Sequence, residues 1–447
     1  MVKRFFFLLL IVFLLGAAPA AADELTLEKA IELALAQSRS VQQAAHERSA
    51  ADWGLARSVS SYLPRVSYNT AWTRIDDETF DAADEMFELT KRLDPDAEPS
   101  VFRDSYSSSL SVLQPIFNGG GEYVAIKAAA IGRKNAHLGE QDARMSVVLE
   151  VKQAYYGVMT ARALMVVTRE SLALARESLR LQRARFEVGS ATKSDTLRWE
   201  AEAAGAEGAV AEAENAHAQA LMQLARAIGG PVAKRWELPS FDEDGVMEKI
   251  EAARKIEGAG IDDPLSINNH PAMRQTAGGV KLAGVETEAQ VGGLLPNVNF
   301  FYNYNWATND TLGPDEDTNW NMGIAVEIPL LQGLGRVTGI GQTVRAKQQA
   351  RVGVEQFNRS FLQRAYASKL NLRSARLRVA SARKGVAASQ ANLEIVESRA
   401  TLGMATSLEQ LDARLAYLRG RSDLIGAISD FHIALADWEY VSAQTEE

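Results

Sequence analysis

Two stretches of this chain repeat one another at a fixed offset, and that limits the fold more than any single motif does. Leu63-Pro64 returns as Leu295-Pro296, 232 residues later. Pro115, Gly119 and Gly121 return as Pro329, Gly333 and Gly335, an offset of 214 that then holds. Arg185, Gly189, Ala191, Thr192 and Leu197 match Arg399, Gly403, Ala405, Thr406 and Leu411, and Ala220-Leu221 matches Ala434-Leu435. A register kept over about a hundred residues marks a duplicated structural unit. The copies span residues 23–230 and 268–447, and a Pro- and Gly-bearing linker, 231–267, joins them with a short helical stretch from Val246 to Lys255. The offset changes by 18 between Pro64 and Pro115, so the first copy carries the longer loop there.

Each copy reads helix, strand, strand, long helix, helix. Leu27 to Tyr62 is Ala-rich and predicts one helix stopped by Pro64. Val66, Tyr68, Thr70 and Trp72 then alternate with polar residues, as do Tyr106, Leu110 and Val112 with Ser105, Ser107, Ser109 and Ser111. In the second copy Val298, Phe300, Tyr302, Tyr304 and Trp306 alternate with Asn297, Asn299, Asn303 and Asn305, with Phe301 out of step. Trp320, Met322, Ile324, Val326 and Ile328 alternate with Asn319, Asn321, Gly323, Ala325 and Glu327. A period of two with frequent Tyr and Trp, in segments of about ten residues, is the pattern of membrane barrel strands, apolar to lipid and polar to the lumen. Pro115 and Pro329 are expected to end the second strand of each copy.

Proline is then absent from about Glu122 to Val188 and from about Val337 to Leu402. Helices of ~65 residues would each reach ~100 Å. Seven-residue spacing links Met165, Leu172, Leu179 and Phe186, then Val379, Val386, Leu393 and Ala400, and on the partner helix Leu411, Leu418 and Ile425. The pattern predicts antiparallel coiled-coil pairs closed by turns at Gly189 and Gly403. Four short strands cannot close a barrel around a lumen, and open edges are not tolerated in lipid, so several chains must share one barrel; three chains would supply twelve strands.

Composition excludes several function classes. There is no cysteine, so no disulfide, thiol nucleophile or Cys-ligated metal. His46, His137, His217, His270 and His432 are scattered, without metal-ligand spacing or a G-x-S-x-G context, and no phosphate-binding glycine loop is present. No catalytic, cofactor-binding or metal residue is assigned. The formal net charge of -9, which becomes -11 without Lys3 and Arg4, argues against nucleic acid. Lys3 and Arg4, the apolar run Phe5 to Leu15 and Ala20 to Ala22 have the order of a secretory signal over residues 1–22.

The opening LTLEKAIELALAQS, the strand segments LPRVSYN and LLPNVNFFYNYN, the exits QPIFNGGG and IPLLQGLG, and the turns RFEVGSATKSDTL and SRATLGMATSLEQL resemble the TolC-type outer-membrane efflux factor family. The resemblance covers nearly the whole chain after residue 22. It implies a mainly α homotrimer: a shared twelve-stranded barrel among outer-membrane lipids, and a periplasmic tunnel of long antiparallel coiled-coil helices, with the linker in the tunnel's middle band. It implies a passive conduit that works with a periplasmic adaptor (membrane fusion) protein and an inner-membrane pump, and no cofactor. The turns Gly189-Ser190-Ala191-Thr192 and Gly403-Met404-Ala405-Thr406 would be the periplasmic tips where the adaptor docks. Matching the motif places gate carboxylates at Glu409 and Asp412, with Asp195 equivalent to Glu409 in the first copy. Ala400 and Ala405 stand where the family's best-known pattern has a tyrosine and an arginine that tie the closed state, so the lock must be built differently. The acidic segment Asp76 to Asp104 and the segment Thr308 to Asp317 are expected to be solvated loops outside the cell. A free-standing porin and a structural coiled-coil barrel protein are the alternatives.

Overall fold

The computed structural model describes residues 25–99, 101–230, 236, 238, 239, 243–258, 267, 269–308, 318–330 and 334–443. The predicted signal segment 1–22, parts of the linker (231–235, 237, 240–242 and 259–266) and residues 309–317 lie outside the described residues. In chain order the elements are α1 (Leu27–Gln37), α2 (Arg39–Ser60), β1 (Arg65–Arg74), α3 (Asp77–Leu93), β2 (Asp104–Asn118), α4 (Gly121–Glu187), α5 (Lys193–Ile228), α6 (Glu243–Gly258), α7 (Pro271–Gly292), β3 (Asn297–Thr308), β4 (Thr318–Glu327), α8 (Gly335–Thr401) and α9 (Ser407–Val441). The chain divides into two compact units, one of residues 1–46, 138–274 and 356–447 and one of 47–137 and 275–355.

The strand unit holds one antiparallel sheet in the order β1-β2-β3-β4. Its register aligns the alternation of all four strands. Tyr68 lies across from Leu110, Leu110 from Tyr304 and Tyr304 from Trp320. One face is therefore apolar, and Val66, Tyr68, Trp72, Trp320, Met322, Ile324 and Val326 are each more than half exposed on it. The other face carries the row Ser67, Ser111, Asn303, Asn321 and the row Asn69, Ser109, Asn305, Asn319. Asn303 Nδ2 donates to Asn321 Oδ1 at 3.0 Å, and Asn305 Nδ2 to Asn319 Oδ1 at 3.1 Å. Phe301, the residue out of step, closes over Gly323, where an added Cβ would lie 3.1 Å from the ring. Below the sheet, Lys127 pairs with Glu288 and Arg133 with Asp52. Gly119 (φ 60) approaches Gly292 so closely that a Cβ would meet the Gly292 carbonyl oxygen at 2.0 Å. Gly119 thus serves a close backbone contact, whereas an added Cβ at Gly120 or Gly121 would meet nothing within 4 Å.

The helical unit has two main cores. One gathers Val147, Val151, Tyr155 and Val158 of α4 with Ala30 and Ala34 of α1 and Leu224 and Ile228 of α5. The other packs Phe361, Ala365, Leu372, Ala375 and Val379 of α8 against Leu424, Ile428 and Phe431 of α9 and Val246, Ile250 and Ala253 of α6. With the buried Ser368, the α8 positions step by four and three, averaging the 3.5 residues of a coiled-coil seam. His270 joins this core fully buried: its Nδ1 accepts from Ala272 N–H at 3.2 Å, so Nε2 donates to the Tyr440 carbonyl at 3.1 Å.

Four sequence expectations are corrected. The predicted helix from Leu27 to Tyr62 is two helices, because Ser38 is extended (ψ 128) and its hydroxyl meets that of Ser40 at 2.8 Å. The segment Asp76 to Asp104 is not wholly loop: α3 occupies most of it, capped by Asp76, whose carboxylate accepts from Thr79 N–H at 2.9 Å. β2 does not end at Pro115. It continues to Asn118 through a bulge between Pro115 and Phe117, where the missing N–H of proline costs no ladder bond. In the coiled coils, Leu424 and Ile428 are the buried positions instead of Ile425, and Phe186 is 46% exposed because it sits at the helix end. The two proline-free runs form α4 and α8, each of 67 residues.

Candidate functional site

Two helical hairpins, α4–α5 and α8–α9, end in turns of the same construction. At the first, Gly189 takes φ 75, Gly189 N–H donates to Phe186 O at 3.0 Å and Ser190 N–H to Arg185 O at 2.8 Å. At the second, Gly403 takes φ 76, its N–H donates to Ala400 O at 3.1 Å and Met404 N–H to Arg399 O at 2.8 Å. This left-handed C-terminal cap needs glycine at that position. The next helix starts at once with a capping box. Thr192 Oγ1 accepts from Asp195 N–H at 3.2 Å, and Asp195 Oδ2 accepts from the Thr192 hydroxyl at 2.6 Å. Thr406 Oγ1 accepts from Glu409 N–H at 3.1 Å, and Glu409 Oε2 accepts from Thr406 N–H at 2.8 Å.

The predicted gate carboxylates therefore differ in what they do. Asp195 and Glu409 are cap residues. Hydrogen bonds from the Thr192 hydroxyl and backbone hold the Asp195 carboxyl below its ordinary range, and those from the Thr406 backbone and hydroxyl do the same for Glu409. Asp412, on the next turn, is exposed. Ser190 is tied to its own helix end, since its hydroxyl donates to Arg185 O at 3.1 Å. Met404 is 60% exposed and contributes only backbone to the turn, its carbonyl accepting from Arg399 Nη2 at 3.0 Å. Ala191 and Ala405 are half-buried.

Sequence reasoning missed a set of polar contacts that run between the hairpins, from α4 to α9. Gln182 Nε2 donates to Ser407 Oγ at 2.9 Å, Arg414 Nη1 donates to Ser178 Oγ at 2.8 Å, and Arg421 pairs with Glu170. Ser407, Arg414 and Arg421 are seven residues apart, so they form one stripe of α9. Ser178 and Gln182 are buried. The seven-residue polar stripe was visible in the sequence; its partner helix was not.

Within the first hairpin, Arg169, Arg176 and Arg183 of α4 pair with Glu214, Glu207 and Glu200 of α5 at 2.7, 2.7 and 2.8 Å. Within the second, Arg414 pairs with Glu397 at 3.2 Å and Arg378 with Asp430 at 2.9 Å. No group of acidic or histidine side chains suited to a metal occurs among the described residues.

This construction, two copies of a strand pair and a capped hairpin, can be compared with known proteins. The model of the outer membrane efflux protein family matches residues 30–230 and 264–437, most of the chain. The chain belongs to the outer membrane efflux protein family. It is thus an outer-membrane protein of a family of channels. Among similar sequences, the alkaline protease secretion protein AprF of Pseudomonas aeruginosa is 24% identical over 373 residues, 76% of this chain and 74% of AprF. The outer membrane efflux protein BepC of Brucella suis is 26% identical over 306 residues, 68% of this chain and 63% of BepC. In fold, the chain is similar to the CmeC outer membrane channel of Campylobacter jejuni, with a TM-score of 0.77 at 15% identity over 97% of this chain and 92% of CmeC. It is also similar to VceC of Vibrio cholerae, with a TM-score of 0.74 at 15% identity over 93% of this chain and 95% of VceC. No described helix is long and apolar enough to cross a membrane.

Proposed function

We propose that this efflux-family protein is a homotrimeric passive conduit, gated at its hairpin ends, that serves a periplasmic adaptor and an inner-membrane pump in efflux or type I secretion. The observation that carries the reading is the sheet. It has one exposed apolar face, one asparagine- and serine-lined face, and free edges at β1 and β4 among the described residues. Unpaired edges cost several kcal/mol per polar group in hydrocarbon. Neighbouring copies that pair β4 with β1 remove them, and three copies give twelve strands and a polar lumen. AprF is named for protease secretion and BepC for efflux, which supports the conduit role and leaves the cargo class broad.

In the helical unit, the turns Gly189 to Thr192 and Gly403 to Thr406 are the docking tips of this reading. Asp195, Glu409 and Asp412 supply its gate carboxylates. In a trimer they form rings that favour cations. Met404 is the position that tests docking, because its side chain is exposed and takes no part in the turn. Met404→Glu should leave trimer yield and membrane insertion unchanged while transport and cross-linking to the adaptor fall. Unchanged transport would remove the second tip from the docking surface and favour a free-standing porin.

A further inference from the structure

The first copy carries α3, inserted between β1 and β2, and the second carries nothing that matches it among the described residues. At 3.6 residues per turn, α3 presents Phe80, Ala83 and Phe87 on one stripe and Met86, Leu89 and Leu93 on the adjoining one. The chain uses only the first stripe. Arg103 stacks over Phe80 at 4.9 Å and Lys91 over Phe87 at 5.7 Å, while Arg103 also pairs with Asp77 at 3.2 Å. Met86, Leu89 and Leu93 are left 64%, 54% and 90% exposed. Half of the apolar face of a well-capped helix is therefore bare.

Two observations say what covers it. The remaining face is acidic, with Asp81, Asp84, Glu85 and Glu88, and its cations Lys91 and Arg92 are confined to the last turn. Helices that lie on membranes carry Lys and Arg along the polar face, so this one is not built for an anionic lipid surface. Second, α3 starts three residues after β1, and Ile75 N–H donates to Arg103 O at 3.0 Å, fixing α3 to the end of the edge strand. In the shared barrel that edge meets the next copy of the chain.

We propose that the Met86, Leu89 and Leu93 stripe of α3 packs against a neighbouring copy of this chain, making a second inter-subunit contact at the outer end of the barrel. The inference rests on the shared-barrel reading, and it adds a helical contact outside the sheet seam. The test places a photo-cross-linking phenylalanine analogue at Leu89, and in a separate variant at Glu85 on the acidic face, in the full-length protein in native outer membranes. Illumination should give chain–chain adducts from position 89 and far fewer from 85. Adducts of Leu89 with lipopolysaccharide, adducts with other proteins, or none at all would overturn the contact. Unboiled gels of the same membranes separate the two ideas: trimers without adducts sink only the α3 contact, whereas the absence of trimers sinks the shared barrel. A second variant, Leu89→Asp with Leu93→Asp, should lower the temperature at which the trimer dissociates, and an unchanged temperature counts against the contact.

Discussion

The first hairpin closes on itself through a ladder: Arg169, Arg176 and Arg183 reach across to Glu214, Glu207 and Glu200, each step seven residues along both helices. Shifted by the repeat offset, those pairs become Arg383 with Ile428, Gln390 with Arg421, and Glu397 with Arg414. Only the last is an ion pair, and its charges are exchanged. Of the arginines that replace Glu207 and Glu200 in the second hairpin, Arg421 pairs with Glu170 of α4, and Arg414 reaches Ser178 of α4 while also pairing with Glu397. Duplication supplied two equal hairpins. Of the six ladder positions only Arg169 keeps its residue in the second copy, as Arg383, and the two arginines that stand in place of Glu207 and Glu200 join the second hairpin to the first. In the gated-conduit reading proposed above, the contacts from α4 to α9 are the candidate for the lock that Ala400 and Ala405 cannot form.

The largest effect should come from cutting that tie. Arg414→Ala with Arg421→Ala removes two charge-assisted contacts at partly exposed sites, roughly 1 kcal/mol each. About 2 kcal/mol shifts a closed-to-open ratio about thirtyfold. Single channels in planar bilayers should open far more often or conduct more, while Glu397→Gln, which removes only the bond inside the second hairpin, should not reproduce this. Wild-type conductance in the double variant would mean that the tie is not the lock.

A second test asks whether the tips are unequal in selecting ions. Glu409→Gln keeps an acceptor for the capping box but removes the charge, and Asp412→Asn removes a charge that no cap uses. The pair should shift the reversal potential in a KCl gradient toward lower cation preference. Asp195→Asn in the first tip should shift it less. Equal shifts from both tips would erase the functional distinction between the hairpins, and no shift from either would remove these carboxylates from the constriction.

Much of this comparison was legible in the sequence, and the reason is physical. The offset of 214, the proline-free runs and the Gly-x-x-Thr turns are local patterns, and local rules of capping and periodicity decide them; α4 and α8 came within a residue or two of expectation. The strand faces followed from alternation, because the register cannot slip by one without inverting every side chain. What failed was tertiary or masked by composition. The acidity of Asp76 to Glu88 suggested a solvated loop, yet an acidic first turn and the basic Lys91 and Arg92 in the last are helix signals. The contacts of Ser178, Gln182 and Glu170 depend on which helix lies beside α9, and no pattern along one chain segment encodes that.

The copies should also differ in their response to acid. His432 of α9 is buried and stacks on Tyr156 at 4.0 Å between ring centroids, whereas the equivalent position in α5 is Ala218. Burial, with the Lys249 charge adding to it, pushes the His432 imidazole down to about 3. An unfolded histidine titrates near 6.5. The unfolded chain therefore takes up the proton first, and stability falls as pH drops from about 6.5 toward about 3, by about 2 kcal/mol at pH 5. His432→Phe keeps a ring against Tyr156 and should flatten this part of the pH dependence in thermal unfolding followed by circular dichroism. An unchanged slope would show that His432 is charged in the native helix unit.

The smallest effect belongs to the ladder itself, and it separates the two hairpins most cleanly. Its three pairs are roughly half exposed on both sides, with side-chain exposures of 50–61%. Such pairs contribute about 0.2–1 kcal/mol each, because water screens the attraction and two long side chains lose rotamer freedom. Arg176→Ala should therefore lower stability by less than about 1 kcal/mol, and added salt should remove much of the difference. The apolar seam beneath the ladder, Leu172, Ala175 and Leu179 against Ala203 and Ala206, remains intact in that variant. Channel conductance should not change, since no ladder residue reaches α9. A charge swap, Arg176→Glu with Glu207→Arg, should restore stability by rebuilding the pair in the opposite sense, the same exchange that Glu397 and Arg414 already display. If Arg176→Ala instead opens the channel as the Arg414 and Arg421 variant does, the first hairpin also belongs to the lock, and the division of labour between the hairpins fails.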